Sequence, residues 1–167
     1  MKIINQQKRS SVFYDEKNDT YIKIFKPKFI NRLKFLFRFR NYPGKNFYFI
    51  SNILKSLNLY SAEVISFSNY SVTTKNLHGI NMDTYIKKYP NSDIINQYII
   101  FVKKLIDNNI YCGDLSYDNF IVKDEKLYAI DLEDYKKVKF FNKDKKEFFR
   151  RLKQKIDEDT FNKIINN

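Results

Sequence analysis

One 25-residue segment constrains this 167-residue chain more than any other. Residues 111–135 read YCGDLSYDNFIVKDEKLYAIDLEDY. Asp114 follows an apolar helical pattern, and Asn119 comes five positions later. Two short apolar runs around the turn-like stretch from Lys123 to Lys126 then form a hairpin, and Asp131 closes the second run. The hairpin folds the chain back, so Asn119 at its start and Asp131 at its end are expected to meet. An amide oxygen beside a carboxylate offers two hard oxygen donors to a cation such as magnesium, which keeps much of its water. Asp114, in the loop before them, can orient a hydroxyl and accept its proton.

The spacing resembles the catalytic half of the protein-kinase-like fold, an Asp-x4-Asn loop, a hairpin and a second Asp. Phosphoryl transfer asks for little covalent chemistry, only an oriented nucleophile and neutralised phosphate charge. In that pattern a strand lysine holds the nucleotide phosphates. Lys23, in TYIKIFKP, is the candidate, and Lys26 is disfavoured because it abuts Pro27. The expected nucleotide-binding set is therefore Lys23, Asn119 and Asp131, with Asn119 and Asp131 as the magnesium ligands and Asp114 as the catalytic residue.

Composition excludes much else. The chain has one His and one Cys, so a disulfide scaffold, a Cys-rich zinc site and a Ser-His-Asp triad are ruled out. No apolar run approaches the ~20 residues of a membrane span, and the opening MKIINQQKRSS has no signal-peptide core. The net charge is +12, for which AT-rich coding is one reading. The excess is nevertheless local: between Thr20 and Ala62 there are nine Lys or Arg and no Asp or Glu. Such a stretch attracts phosphate, anionic lipid or nucleic acid. Nucleic acid is disfavoured, because Lys outnumbers Arg and no recognised binding motif is present.

Periodicity gives the remaining elements. SVFY (11–14) and TYIKIF (20–25) alternate about a turn and predict a hairpin. Lys28 to Arg40 and residues 46–57 read as helices, 63–68 and 71–77 as strands. A short helix over 82–88 stops before Pro90. The next helix is capped by Asn91 or Ser92 and runs to about Asn108, with Ile94, Ile95, Tyr98, Ile99, Val102, Leu105 and Ile106 on its apolar face. One or two helices follow Lys143. The fold class is α+β, a minimal bilobal kinase-like arrangement. Residues 1–79 form an antiparallel-sheet N-lobe with a helical insertion, and residues 80–167 a mainly helical C-lobe.

Over residues 8–146 the chain resembles the lipopolysaccharide core heptose kinases, small bacterial sugar kinases. The stretches are SVFYDEKNDTYIKIFK, NRLKFLFRFRNYPGKNFYFISNILKSLNL, YSVTTKNLHGINMDTYI and DNNIYCGDLSYDNFIVKDEKLYAIDLEDYK. The resemblance implies ATP- and Mg2+-dependent phosphorylation of a sugar hydroxyl, heptose of the lipopolysaccharide core above all, in the cytoplasm or at the inner membrane face. It also implies that residues 73–76 form the linker that meets adenine. The alternatives are another small alcohol such as an antibiotic as acceptor, or a kinase-like binding module without turnover. Several residues depart from the pattern. Cys112 stands where His is usual and is read as a buried filler rather than a nucleophile. No glycine-rich flap is present, and only Ser10 and Ser11 offer donors there. No helix Glu is available to pair Lys23, which leaves Asn46, Asn52 or Glu63. The Asp131-Leu132-Glu133 site lacks a glycine. The amphipathic stretch from Lys28 to Arg40 is expected to touch an anionic membrane, and His78 has no metal role.

Overall fold

A computed structural model describes residues 1–37, 40–139 and 141–166; of residues 34 and 142–144 only the backbone is described. The chain forms two compact units, Met1–Ile53 with Ala62–Asn76, and Leu54–Ser61 with Leu77–Asn167.

The first unit is a five-stranded antiparallel sheet with two helices. Its strands are β1 (Lys2–Gln6), β2 (Ser10–Asp15), β3 (Thr20–Phe25), β5 (Val64–Phe67) and β6 (Ser71–Lys75), in the order β1-β2-β3-β6-β5. The period-2 runs define β2 and β3 as expected. β1 was not foreseen: all five of its residues are exposed, so it carries no apolar alternation. α1 (Phe29–Leu36) is shorter than the basic stretch that predicts it, and Arg38 and Phe39 of that stretch lie outside the described residues. α2 (Pro43–Ser56) starts with proline at its first position, where the missing N–H costs nothing. A Cβ on Gly44 would stand 2.1 Å from the Ser68 carbonyl oxygen, so only glycine lets α2 meet the β5–β6 turn.

The second unit holds β4 (Tyr60–Ser61), β7 (Ile80–Asn81), β8 (Ile110–Cys112), β9 (Phe120–Lys123), β10 (Lys126–Ala129) and β11 (Tyr135–Lys137). Its helices are α3 (Met82–Lys88), α4 (Ile94–Asp107), α5 (Phe141–Lys153) and α6 (Glu158–Ile165). The unit is not as clearly helical as the expected C-lobe. A four-stranded sheet, β4-β10-β9-β7, and a β8–β11 ribbon share the unit with the helices. Strands of two or three residues are too short to show a period, so only the β9–β10 hairpin was legible. Buried Tyr98, Phe101, Val102, Leu105, Phe120, Leu132, Tyr135 and Phe148 form the core of this unit. The N-cap of α4 is Asp93 rather than Asn91 or Ser92, and its carboxylate takes the Asn96 amide instead of a backbone N–H. Gly79 lies so close to β9 that a Cβ there would be 2.4 Å from Ile121 and 2.5 Å from the Val122 carbonyl.

Candidate active site

The loop from Asp114 to Asn119 is held at several points. Tyr98, fully buried on α4, donates its hydroxyl to the Leu115 carbonyl at 2.6 Å. Burial of that ring pushes its pKa well up, so the hydroxyl keeps its proton and remains a donor. Asp114 Oδ1 accepts the Ser116 N–H at 3.1 Å, which closes a local turn. Asn119 Nδ2 donates to the Asp114 carbonyl at 3.2 Å.

One backbone bond joins the loop to the second carboxylate. The Ile130 N–H donates to the Asn119 carbonyl at 3.0 Å. Phe120↔Ala129 pairing in the β9–β10 hairpin sets this up, because it brings the residue after β10 back to the residue before β9. Asp131, half-buried, is next in the chain, between Ile130 and the fully buried Leu132. The bond places the Asn119 backbone beside Ile130, the residue that precedes Asp131. One amide oxygen and one carboxylate suit a magnesium ion that fills its shell with water and phosphate. No group of three or more His, Cys, Asp or Glu able to hold a metal occurs among the described residues.

Lys23 lies mid-strand in the first unit, on β3, opposite Val12 of β2 and Val72 of β6. It is half-buried and shares a face with Phe25, whose ring centroid is 5.6 Å from Nζ. Lys26 is exposed and bonds Ser11 Oγ at 2.8 Å. Of the neutral stand-ins for the missing Glu, Asn46 is buried, while Asn52 is exposed and bonds the Tyr48 carbonyl of its own helix. Glu63 is exposed.

Cys112 is buried in β8, and burial raises its thiol well above the usual range. Its Sγ donates to the Asp114 carbonyl at 3.4 Å. It supports the loop as a neutral thiol, and a thiolate nucleophile is disfavoured. His78 is exposed, with φ of 51°.

Residues far along the chain also reach the loop, and sequence reasoning missed them. Lys155 Nζ lies 3.6 Å from Asp114 Oδ2. Tyr117 donates its hydroxyl to Asp157 Oδ2 at 2.7 Å, while Asp157 Oδ1 caps α6 by accepting the Thr160 N–H at 2.9 Å. Partial burial opposes ionisation of Asp157, but the bonds from Thr160 and Tyr117 outweigh it and hold the carboxyl below its ordinary value. No periodicity links residues 114 and 155, so only the fold could reveal them.

No family profile matches the sequence, and no curated protein is similar to it. Solved structures are similar in fold, 875 chains in all. One is the crystal structure of the Rio2 kinase-ADP/Mg2+-phosphoaspartate complex from Chaetomium thermophilum, with a TM-score of 0.61 at 14% identity. The match covers 100% of this chain and 62% of that one, so this chain spans less than two thirds of that structure's length. The chain has a protein-kinase-like fold of the α+β class. The likeness singles out no particular kinase family.

Proposed function

We propose that this chain is an ATP- and magnesium-dependent phosphotransferase acting on a sugar hydroxyl, with heptose of the lipopolysaccharide core as the acceptor that the sequence resemblance favours. The observation that carries the reading is the Ile130-to-Asn119 backbone bond. Together with the bond from Asn119 to the Asp114 carbonyl, it links the loop that bears Asp114 and Asn119 to the strand end that leads into Asp131, which supports the reading. The ADP/Mg2+ of the Rio2 kinase complex supports the cofactor assignment.

In this reading Asp114 orients the acceptor hydroxyl and takes its proton as the new oxygen–phosphorus bond forms and the bond to the leaving ADP oxygen breaks. Asn119 and Asp131 would hold a magnesium ion, whose contribution would be to neutralise phosphate charge. Lys23 pairs with the nucleotide phosphates. Ser116 donates to Asp114 Oδ1, and Oδ2, which Lys155 faces at 3.6 Å, is the atom assigned to meet the proton. Melting temperature measured with ATP, with and without magnesium, tests the site. A rise that EDTA abolishes is expected, followed by phosphate incorporation into core oligosaccharide that Asp114→Asn eliminates. Unchanged melting at millimolar Mg·ATP would overturn the assignment.

The basic helix α1 supplies the setting for such an acceptor. Phe35 anchors it, packing on Tyr42 and Tyr70 at 5.5 and 6.4 Å between ring centroids. On the other side Phe29, Ile30, Leu33, Leu36 and Phe37 follow helical spacing and are all exposed, Phe29 by 73%. The segment carries no acid, and a second copy would bring +12 against +12. An anionic bilayer is therefore the occupant that fits this apolar, cation-flanked face. No helix among the described residues is long and apolar enough to cross a membrane, so the contact would be peripheral. Sedimentation with phosphatidylglycerol vesicles, lost in Phe29→Ser/Leu36→Ser and absent with phosphatidylcholine, is expected. Equal recovery with both lipids would remove the assignment.

A further inference from the structure

An acceptor must be held as well as oriented, and the loop has no cation for holding one that is charged. From Gly113 to Asn119 it reads GDLSYDN, with two carboxylates and no Lys or Arg. Cations arrive from α5 and the turn after it. Lys155 stands 3.6 Å from Asp114. Arg151, one helical turn earlier, lies over Gly113, where a Cβ would be 3.3 Å from its Nη1. Their side chains are 44% and 47% exposed, open enough to receive a ligand.

Their placement is built, not incidental. Asp157 fastens the turn bearing Lys155 to the loop through Tyr117, and the same carboxylate caps α6. Glu147 Oε1 accepts Arg151 Nε at 2.7 Å, which orients that guanidinium and leaves its outer edge toward Gly113. Lys155 itself does not hold the turn in place. An exposed pair of this kind adds little to stability, and the Tyr117–Asp157 bond already does the fastening. Lys155 can therefore exchange Asp114 for a ligand anion at little cost.

In the phosphotransferase reading Asn119 and Asp131 serve the metal of the nucleotide, which leaves the cations over Gly113 and beside Asp114 for the acceptor. We propose that Arg151 and Lys155 form the acceptor-recognition site and take a phosphate group already present on a sugar acceptor. A guanidinium meets phosphate oxygens as a planar fork, and an ammonium adds a point charge. The proposal rests on the phosphotransferase reading, because it is the nucleotide that would use Asn119 and Asp131.

Backbone and Arg side-chain NMR of the 15N-labelled full chain tests it, using D-glucose 6-phosphate against D-glucose, each with and without Mg·ADP. Glucose 6-phosphate is expected to shift the Gly113 and Ser116 amides and the Arg151 Nε–H, and glucose to leave them in place. Lys155→Gln should weaken that binding at least tenfold. Lys163→Gln, which removes a lysine paired with Asp159 on α6, should not. Equal binding of both sugars, or unchanged affinity in a folded Lys155→Gln, would overturn the proposal. Displacement of glucose 6-phosphate by Mg·ADP would also overturn it, by assigning the cations to the nucleotide. The response to Mg·ADP alone tests the phosphotransferase reading separately. A sugar phosphate that fails to bind beside bound Mg·ADP sinks the acceptor site and leaves that reading standing.

Discussion

The return of the chain from Asn119 to the residue before Asp131 could be read from the sequence because its geometry is local. A hairpin of fixed register brings Asn119 to Ile130, and no distant element is needed. Tyr98, Lys155 and Asp157 could not be read this way, because each reaches the loop across 17 to 41 residues of chain. Two expectations belong to single residues. Cys112 is neutral and buried, so a disulfide reagent such as dithiobis(nitrobenzoate) should label it only on unfolding. Fast labelling of the folded chain would contradict a supporting role. Tyr98→Phe strips the Leu115 carbonyl of its buried donor. The loss should cost about 1–3 kcal/mol in urea unfolding. Loop amides should shift while the α4 signals hold.

Among the elements, the β9–β10 hairpin has a turn that its sequence disfavours. Asp124 and Glu125 both have positive φ, 48° and 57°. Two such residues form the mirror-image turn that favours Asn-Gly or Asp-Gly. Gln97 on α4 compensates: its amide donates to the Glu125 carbonyl at 2.8 Å, and its oxygen accepts the Leu127 N–H at 3.2 Å. Glu125→Gly keeps both bonds and relieves the strain, so it should stabilise the chain by about 1 kcal/mol. Calorimetry should then show a melting temperature higher by roughly 2–4 °C, and a fall would refute the strain argument. The α6 cap responds to acid. Asp157 is held below its ordinary pKa in the folded chain, so its contribution is present above about pH 4 and is lost as pH falls further. The stability gap between the parent and Asp157→Asn should therefore narrow in acid. A gap independent of pH would remove Asp157 as its source.

At the scale of the whole molecule, the second unit draws on a segment far from the rest of it. Leu54–Ser61 belongs there, with Leu54 fully buried and β4 pairing in parallel with β10. Lys104 fixes the segment by donating to the Leu57 carbonyl at 2.8 Å. A chain that starts at Leu77 lacks these partners, and a broad, early thermal transition is expected of it. A sharp transition at the parent temperature would show that the segment is dispensable. The parallel strand was not legible, because two residues, Tyr60 and Ser61, leave no pattern. The bond that joins loop to strand also has a use in solution. The Ile130 amide proton can trade with deuterium only when that bond opens, so its exchange rate is a clock for detachment of the loop. Read before any substrate is known, that rate would give the free energy with which the resting molecule holds its reactive groups in register.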